Sequence, residues 1–160
     1  MAHIDSVYIA CQYRRCLYFL NKKLVMPKLA IISISLCALI LVGLIPFLEI
    51  SDTHLTNPDW PSHARLHNAW QLLTNGALSI LALVLVWQGR VPKLGIGIAL
   101  IIIISFLVSL ILGSLYGGSM LRSDGTQMAL AGVNVTVTVV SIVTVLLLLS
   151  YRAVSTRTRN

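Results

Sequence analysis

The chain has 160 residues, of which 57% are hydrophobic and 11% are charged, and its formal net charge at pH 7 is +7. Soluble domains carry roughly 25% charged residues, so this composition excludes an ordinary soluble protein and indicates an integral membrane protein. The positive charge does not indicate a nucleic-acid-binding surface, because the basic residues flank apolar segments as membrane topology requires.

The beginning of the chain differs from the rest. We divide the sequence into an N-terminal arm at 1–25, a four-span membrane domain at 26–152 and a basic tail at 153–160. The arm mixes aromatic and basic residues, which is typical of a short amphipathic helix on a membrane surface. It could equally be an upstream extension before a natural start at Met26. We expect its Cys11 and Cys16 to be reduced thiols on the cytoplasmic side.

Four apolar runs predict four membrane-spanning helices. The predicted spans are 29–50, 61–87, 94–116 and 128–151. Pro46 should loosen the last turns of the first helix, since proline lacks an N–H and clashes with the preceding turn. Asp59 is predicted as the N-cap of the second helix. Because the connections are short, the predicted fold class is all-α: a four-helix transmembrane bundle packed up-down-up-down.

The charges predict how these helices are oriented. Ten of the twelve basic residues fall on one side: Arg14, Arg15, Lys22, Lys23, Lys28, Arg90, Lys93, Arg152, Arg157 and Arg159. The other side holds Arg65, Arg122 and four of the five acidic residues. The positive-inside rule then predicts that both termini are cytoplasmic. We expect a multi-pass protein of the cell (inner) membrane, with residues 54–67 facing the periplasm or the extracellular space.

The polar run at 51–68 holds three of the four histidines. His63 and His67 are spaced i, i+4 at the start of the predicted second helix, which places both imidazoles on one face. This is a geometry that metal sites use for two-histidine ligation. Together with His54, from the same loop, they predict a possible site for a divalent metal ion that nearby carboxylates could complete.

The polar face continues along the second predicted helix. Gln71, Asn75 and Ser79 follow at further i+4 steps, and polar groups at bilayer depth must face protein or water. The stripe should therefore face the interior, opposite polar residues of the last two spans: Ser105, Ser109, Tyr116, Asn134, Thr138 and Ser141.

This arrangement predicts an outward-facing pocket. The candidate ligand-binding residues are His54, His63, Arg65, His67, Gln71 and Asn75. Arg65 could bind a carboxylate or phosphate group, or pair with a neighbouring acidic residue. The alternative is that the histidines are solvated interfacial groups and the amides form interhelical hydrogen bonds.

Gly113 and Gly117 form a GxxxG pattern near the end of the predicted third helix. Such patterns allow helices to approach closely. We expect this face to pack within the bundle, in a homodimer, or against a partner membrane protein. Membrane lipids are the other expected partners.

Residues 53–67 carry the motif T-H-x-x-N-P-x-W-P-x-H-A-R-x-H. It resembles the signature of an uncharacterised family of small four-helix integral membrane proteins, found in bacteria and fungi, to which no activity is assigned. The resemblance implies the four-span layout. A looser likeness links the chain to compact four-helix sterol-binding and isomerase bundles, but the acidic residues that such isomerases carry inside their spans are missing.

Three functions fit these observations. The first is a small binding or transport-related membrane protein that holds a metal ion or a small polar or lipid-like ligand in the histidine-lined pocket. The second is a membrane enzyme acting on a lipid or quinone-like substrate, with histidine as acid or base. Catalytic residues are unknown, because the sequence contains no recognisable nucleophile–base–orienter set. The third is a structural or assembly subunit of a membrane complex.

Overall fold

The structure, a computed structural model, describes residues 25–157. Four helices are long and apolar enough to cross a membrane: α1 at Lys28–Glu49, α2 at Ser62–Gln88, α3 at Pro92–Ile111 and α4 at Val135–Arg157. The prediction of a helical, multi-pass membrane protein is confirmed at this level. The predictions for the arm, with Cys11 and Cys16, and for residues 158–160 of the tail lie outside the described residues.

Helix α1 changes its winding in the middle. Lys28–Ala38 and Ile45–Glu49 are α-helical, and Leu39–Leu44 between them is a π-helix. Pro46 has no N–H to donate to the preceding turn, and its ring crowds the carbonyl one turn earlier. The wider turn just before the proline accommodates that crowding. The irregular segment thus lies before Pro46, whereas the last turns, in which loosening was predicted, remain α-helical.

Helix α2 begins without the predicted cap. Its first residue is Ser62, and Pro61 precedes it with no side-chain cap hydrogen bond. The prediction of Asp59 as N-cap is wrong, because the chain turns before it: the Asp59 N–H donates to Asn57 Oδ1 at 2.9 Å. At its other end, α2 stops at Gly89, which adopts φ 67°. A left-handed glycine is a common helix terminator, since it lacks a Cβ.

The third helix ends earlier, and the fourth helix begins later, than their apolar runs predict. α3 ends at Ile111 and a 3₁₀ turn follows at Gly113–Leu115. Gly117 has a φ of 71° and cannot continue a helix. The GxxxG pair therefore lies beyond α3 rather than on its face, and the Gly118 N–H instead donates to Gly113 O at 2.8 Å.

A small hairpin occupies the beginning of the predicted fourth span. Strands β1 (Ala129–Leu130) and β2 (Val133–Asn134) pair antiparallel directly before α4. Gly132, between them, has a φ of 80°, which glycine adopts without strain. The residues from Met128 to Val133 are thus apolar but not helical.

The helices pack as a ring in which α1 and α3 each contact α2 and α4. Gly95 of α3 allows a close approach to α2, since a Cβ at this position would lie 2.6 Å from Ala82 O. Between α1 and α4, Ser33 Oγ and Ser150 Oγ are hydrogen bonded at 2.8 Å. Trp87 Nε1 of α2 donates to Ser35 Oγ of α1 at 3.2 Å.

The buried residues concentrate in one half of the bundle. The buried residues of the four helices all lie within 30–41 of α1, 79–86 of α2, 92–103 of α3 and 140–154 of α4. We call this half, near Arg90 and Lys93, the basic end. The opposite half, beside the segments 50–61 and 112–134, is the loop end, and no residue of α1 to α4 within it is buried. The bundle is therefore closed at the basic end and open at the loop end.

Candidate functional site

The loop between α1 and α2 is organised by a buried asparagine. Asn57 is only 4% exposed, although it stands in a polar run. Its backbone N–H donates to His54 O at 3.1 Å, and its side chain accepts from the Asp59 N–H. Such side-chain contacts shape Asx turns. The Asn-Pro part of the sequence motif thus folds the loop.

His54 is half-buried in this loop and faces three neighbours. Its Nδ1 lies 2.9 Å from Thr53 Oγ1 and 3.4 Å from Ser51 Oγ. Its ring meets Trp60 edge-on, with centroids 5.9 Å apart. These contacts fix the ring orientation and direct it toward the loop end of the bundle.

His63 and His67 form a separate pair on the exposed surface of α2. The two Nε2 atoms lie 3.0 Å apart, and the rings are nearly perpendicular at 83°. The predicted i, i+4 juxtaposition is thus present in the structure. Within residues 25–157, no three side chains of histidine, cysteine, aspartate or glutamate form a group that could hold a metal ion. The loop histidine and the helix pair are not brought together.

The remaining predicted binding residues follow the surface of α2. Gln71 is exposed, Arg65 and Asn75 are half-buried, and the stripe becomes fully buried only at Ser79. Ser79 Oγ donates to Asn75 O at 2.6 Å, so it is satisfied within its own helix. The stripe is therefore buried at Ser79, toward the basic end, and becomes more exposed along α2 toward the loop end.

The residues expected to face the stripe are also dispersed. Ser105 and Thr138 are exposed, and Ser141 is half-buried. The Tyr116 hydroxyl donates to Ser109 O along its own segment. No polar crevice therefore runs down the bundle axis opposite α2 in the described part of the chain.

A cavity of about 260 Å³ lies at the loop end instead. Helices α1 and α3, both loops and the start of α4 contribute its walls. Its lining residues are Leu48, Glu49, His54, Phe106, Ser119, Met120, Leu121, Arg122, Met128, Asn134 and Thr136. Of the predicted ligand-binding residues, His54 lines this cavity, and the others lie outside its wall.

A second cavity of about 200 Å³ adjoins the first. The two share Phe106, Ser119 and Met120 as wall residues. The second cavity continues along the end of α3 beside Leu110 and Tyr116. A molecule with a polar part and an apolar part could therefore occupy both.

Two polar side chains at this end hold buried atoms without a partner. Asn134 Oδ1 caps α4 by accepting from the Val137 N–H at 3.1 Å, whereas its Nδ2 is buried with no hydrogen bond. Asn68 Nδ2 donates to Glu49 Oε2 at 3.0 Å, whereas Asn68 Oδ1 is buried with no hydrogen bond. Native proteins satisfy nearly all buried polar atoms, so each of these two atoms calls for a further partner, either a water molecule or a ligand group.

The loop that carries Arg122 is a tight turn. The Arg122 N–H donates to Thr126 O at 2.8 Å, and Ser123 Oγ donates to Thr53 O at 3.1 Å, which joins the two loops. Hydrogen bonds from the Thr126 hydroxyl and N–H to Asp124 Oδ1 lower the pKa of that carboxyl group, and nearby Arg122 lowers it further. These contacts hold Arg122 beside the cavity.

Sequence reasoning missed Glu49, Arg122 and Asn134 as a group. They come from three separate segments, so no spacing in the sequence joins them. The usable signal was chemical: Arg122 is one of two basic residues on its side of the predicted membrane topology.

No protein-family model matches this chain, and neither the curated proteins nor the solved structures include a match.

Proposed function

We propose that this chain is a small multi-pass membrane protein that binds a small, lipid-like ligand in the loop-end cavity. The observation that carries the proposal is the composition of that cavity, where Phe106 and Met120 stand beside Glu49, His54 and Arg122. Ligand pockets are mostly apolar with a few polar groups that fix orientation. A molecule dissolved in the bilayer can reach an open end of a helical bundle directly.

The proposal includes an orientation: the bundle runs up-down-up-down, both termini are cytoplasmic, and the loop end faces the periplasm or extracellular space. Contacts support the helix directions, since Glu49 at the end of α1 meets Asn68 near the start of α2, and Arg157 Nη1 donates to Val25 O. The distribution of basic residues supports the side of the membrane.

Thiol labelling in intact cells tests this orientation. The matched positions are Gln127 at the loop end and Gln88 at the basic end, both exposed, each replaced by cysteine in a background without native cysteines. An impermeant maleimide should label Gln127→Cys in intact cells and Gln88→Cys only after permeabilisation. The reverse pattern would invert the proposed topology.

Cavity filling tests ligand binding. Phe106→Trp adds volume inside the cavity, whereas Phe47→Trp makes the same change at a side chain that is 79% exposed and lines neither cavity. In the purified full chain, native mass spectrometry with membrane lipid extract should show a bound small molecule. We expect Phe106→Trp to lose it at least tenfold and Phe47→Trp to keep it. If neither protein nor variant binds any lipid component, the proposal fails.

A comparison of two histidines localises the site. His54 lines the cavity and His63 does not. Losing a hydrogen-bonding side chain from a binding site typically costs about 1–3 kcal/mol, or roughly tenfold or more in affinity. His54→Ala should therefore weaken lipid binding more than His63→Ala. A larger effect at His63 would move the site to the surface of α2 and would contradict the cavity proposal.

A second candidate function is metal binding by the His63–His67 pair. Zn–N bonds of about 2.0–2.1 Å in a tetrahedral site place two nitrogens about 3.3–3.4 Å apart. The two Nε2 atoms are hydrogen bonded at 3.0 Å, so a small rotation of the imidazoles would bring them to the distance that one shared ion requires. Elemental mass spectrometry of the purified protein and of the double alanine variant tests this: stoichiometric metal lost in the variant supports the site, and metal-free protein after zinc loading contradicts it.

A further inference from the structure

The loop-end cavity brings together two opposite charges without pairing them. Glu49 and Arg122 both line it half-buried, and within residues 25–157 neither forms an ion pair, although Arg122 is close enough to Asp124 to lower the pKa of that carboxyl group. A half-buried charge beside an apolar wall is only partly hydrated, so a ligand group of opposite charge is favoured there. A ligand that carried both charges would pair each of them at once.

The Arg122 side of the cavity suits a phosphate group. A guanidinium binds phosphate through paired hydrogen bonds. Asn134, on the same wall, supplies the buried Nδ2 donor that has no partner, and its Oδ1 is already committed to capping α4. Arg122 and Asn134 can therefore both donate hydrogen bonds to the oxygen atoms of one phosphate group.

The Glu49 side suits a primary ammonium group. Glu49 lines the cavity and accepts a hydrogen bond from Asn68 Nδ2, and Asn68 itself lies outside the cavity wall. A primary ammonium has N–H donors for a carboxylate. A quaternary ammonium has none and is usually held by an aromatic cage. Phe106 and the His54 imidazole are the two aromatic rings of this cavity wall, too few for such a cage, so the site favours the primary amine.

We infer, on the basis of the proposed function, that the cavity binds a zwitterionic headgroup: a phosphate joined by a short spacer to a primary amine, as in a phosphoethanolamine lipid. The phosphate lies at Arg122 and Asn134, and the ammonium lies at Glu49. The adjoining cavity beside Leu110 and Tyr116 receives the first part of an apolar chain. The same headgroup could come from a membrane lipid or from free phosphoethanolamine.

A headgroup panel tests the inference on the full chain in mild detergent. The probes are short-chain phospholipids with ethanolamine, choline and glycerol headgroups, and free phosphoethanolamine, with dissociation constants measured by microscale thermophoresis. We expect the ethanolamine lipid to bind at least tenfold tighter than the other two lipids. Free phosphoethanolamine binding as tightly as the lipid would support a soluble source, and weaker binding would support the membrane source.

Charge-neutral variants assign the two ends. Arg122→Gln should weaken binding of all three lipids about tenfold. Glu49→Gln should abolish the preference for ethanolamine over glycerol and retain binding of the glycerol lipid. Asp52→Asn is the matched control, since Asp52 is exposed, accepts from Thr56 Oγ1 and does not line the cavity. Its headgroup preference should equal that of the unmodified protein.

The outcomes separate the two proposals. If the unmodified protein binds the three lipids equally, the zwitterion assignment is overturned and the lipid-binding function stands. If no lipid of the panel binds and lipid extract yields no bound molecule, both are overturned. Because the first comparison uses the unmodified protein, it decides the question even if Glu49→Gln fails to fold.

Discussion

The basic end and the loop end of the bundle are built from the same four helices but pack differently. At the basic end Ala30, Ala82 and Ala99 are at most 1% exposed, Gly95 is buried, and the helices approach closely there. At the loop end, α3 ends at Ile111 and leaves two cavities against Phe106. In a membrane, lipid tails are as apolar as leucine, so small residues and close packing hold helices together.

The largest effect on stability should come from removing a buried side chain at the basic end. Leu147 is fully buried, whereas its neighbour Leu148 is 45% exposed. Leu147→Ala should reduce the free energy of unfolding by about 2–5 kcal/mol, because it leaves a cavity among packed helices. Leu148→Ala, the control, should change it by less than about 1 kcal/mol. Unfolding in mixed micelles measures both, and equal effects would show that Leu147 is not packed in a closed interior as described.

Overpacking the closed end should have the next largest effect. A Cβ on Gly95 would lie 2.6 Å from Ala82 O and 2.9 Å from Val86 Cγ2, whereas a Cβ on Gly97 meets nothing within 4 Å. Gly95→Ala should destabilise the fold by about 1–3 kcal/mol. Gly97→Ala should be neutral or slightly stabilising, since alanine favours helix. Thermal unfolding of the two variants provides the measurement, and a stable Gly95→Ala protein would contradict the close α2–α3 contact.

A smaller effect is expected from the hydrogen bond that crosses the closed end. Ser33 and Ser150 are both fully buried, and their hydroxyls are bonded at 2.8 Å. Interhelical hydrogen bonds in membranes contribute on average about 0.6 kcal/mol in double-mutant cycles. Alanine at both positions, singly and together, should yield a coupling of this size. Strict additivity of the two single changes would show that α1 and α4 do not share this bond.

The smallest effect lies at the loop end and concerns pH. The Asp124 pKa is lowered mainly by the Thr126 hydroxyl. Thr126→Val should raise that pKa toward its ordinary value, measured by the NMR titration of the Asp124 side chain. Because the folded pKa lies below the unfolded one, this contact contributes above the unfolded pKa and is lost as pH falls through the folded pKa. An unchanged titration would exclude the hydroxyl as the cause.

The number and place of the helices could be predicted because twenty-residue apolar runs have few alternatives in a bilayer. The ends of α3 and α4 could not. Met128–Val133 is apolar enough for a helix, and the positive φ angles of Ala131 and Gly132 and the pairing of β1 with β2 show that the chain turns there. Hydropathy measures burial in lipid and does not tell a hairpin from a helical turn.

Only those contacts of the candidate sites that lie within a single helix could be predicted from the sequence. The His63–His67 juxtaposition follows from helical spacing, and it is present in the structure. The cavity depends on how α1, α3 and the second loop meet, which no local pattern specifies. Glu49, Arg122 and Asn134 therefore became a group only in three dimensions.

The π-helical segment of α1 has a consequence for evolution and for engineering. A π-turn contains one residue more per hydrogen-bonded ring than an α-turn, so residues beyond Leu44 are rotated about the helix axis relative to a regular helix. This added rotation sets the direction in which the Glu49 side chain leaves the helix, and in that direction it contacts Asn68. Deleting one residue within Leu39–Leu44 would keep the span apolar and would turn the carboxylate toward lipid. The length of this segment is therefore constrained even where its residue types are interchangeable.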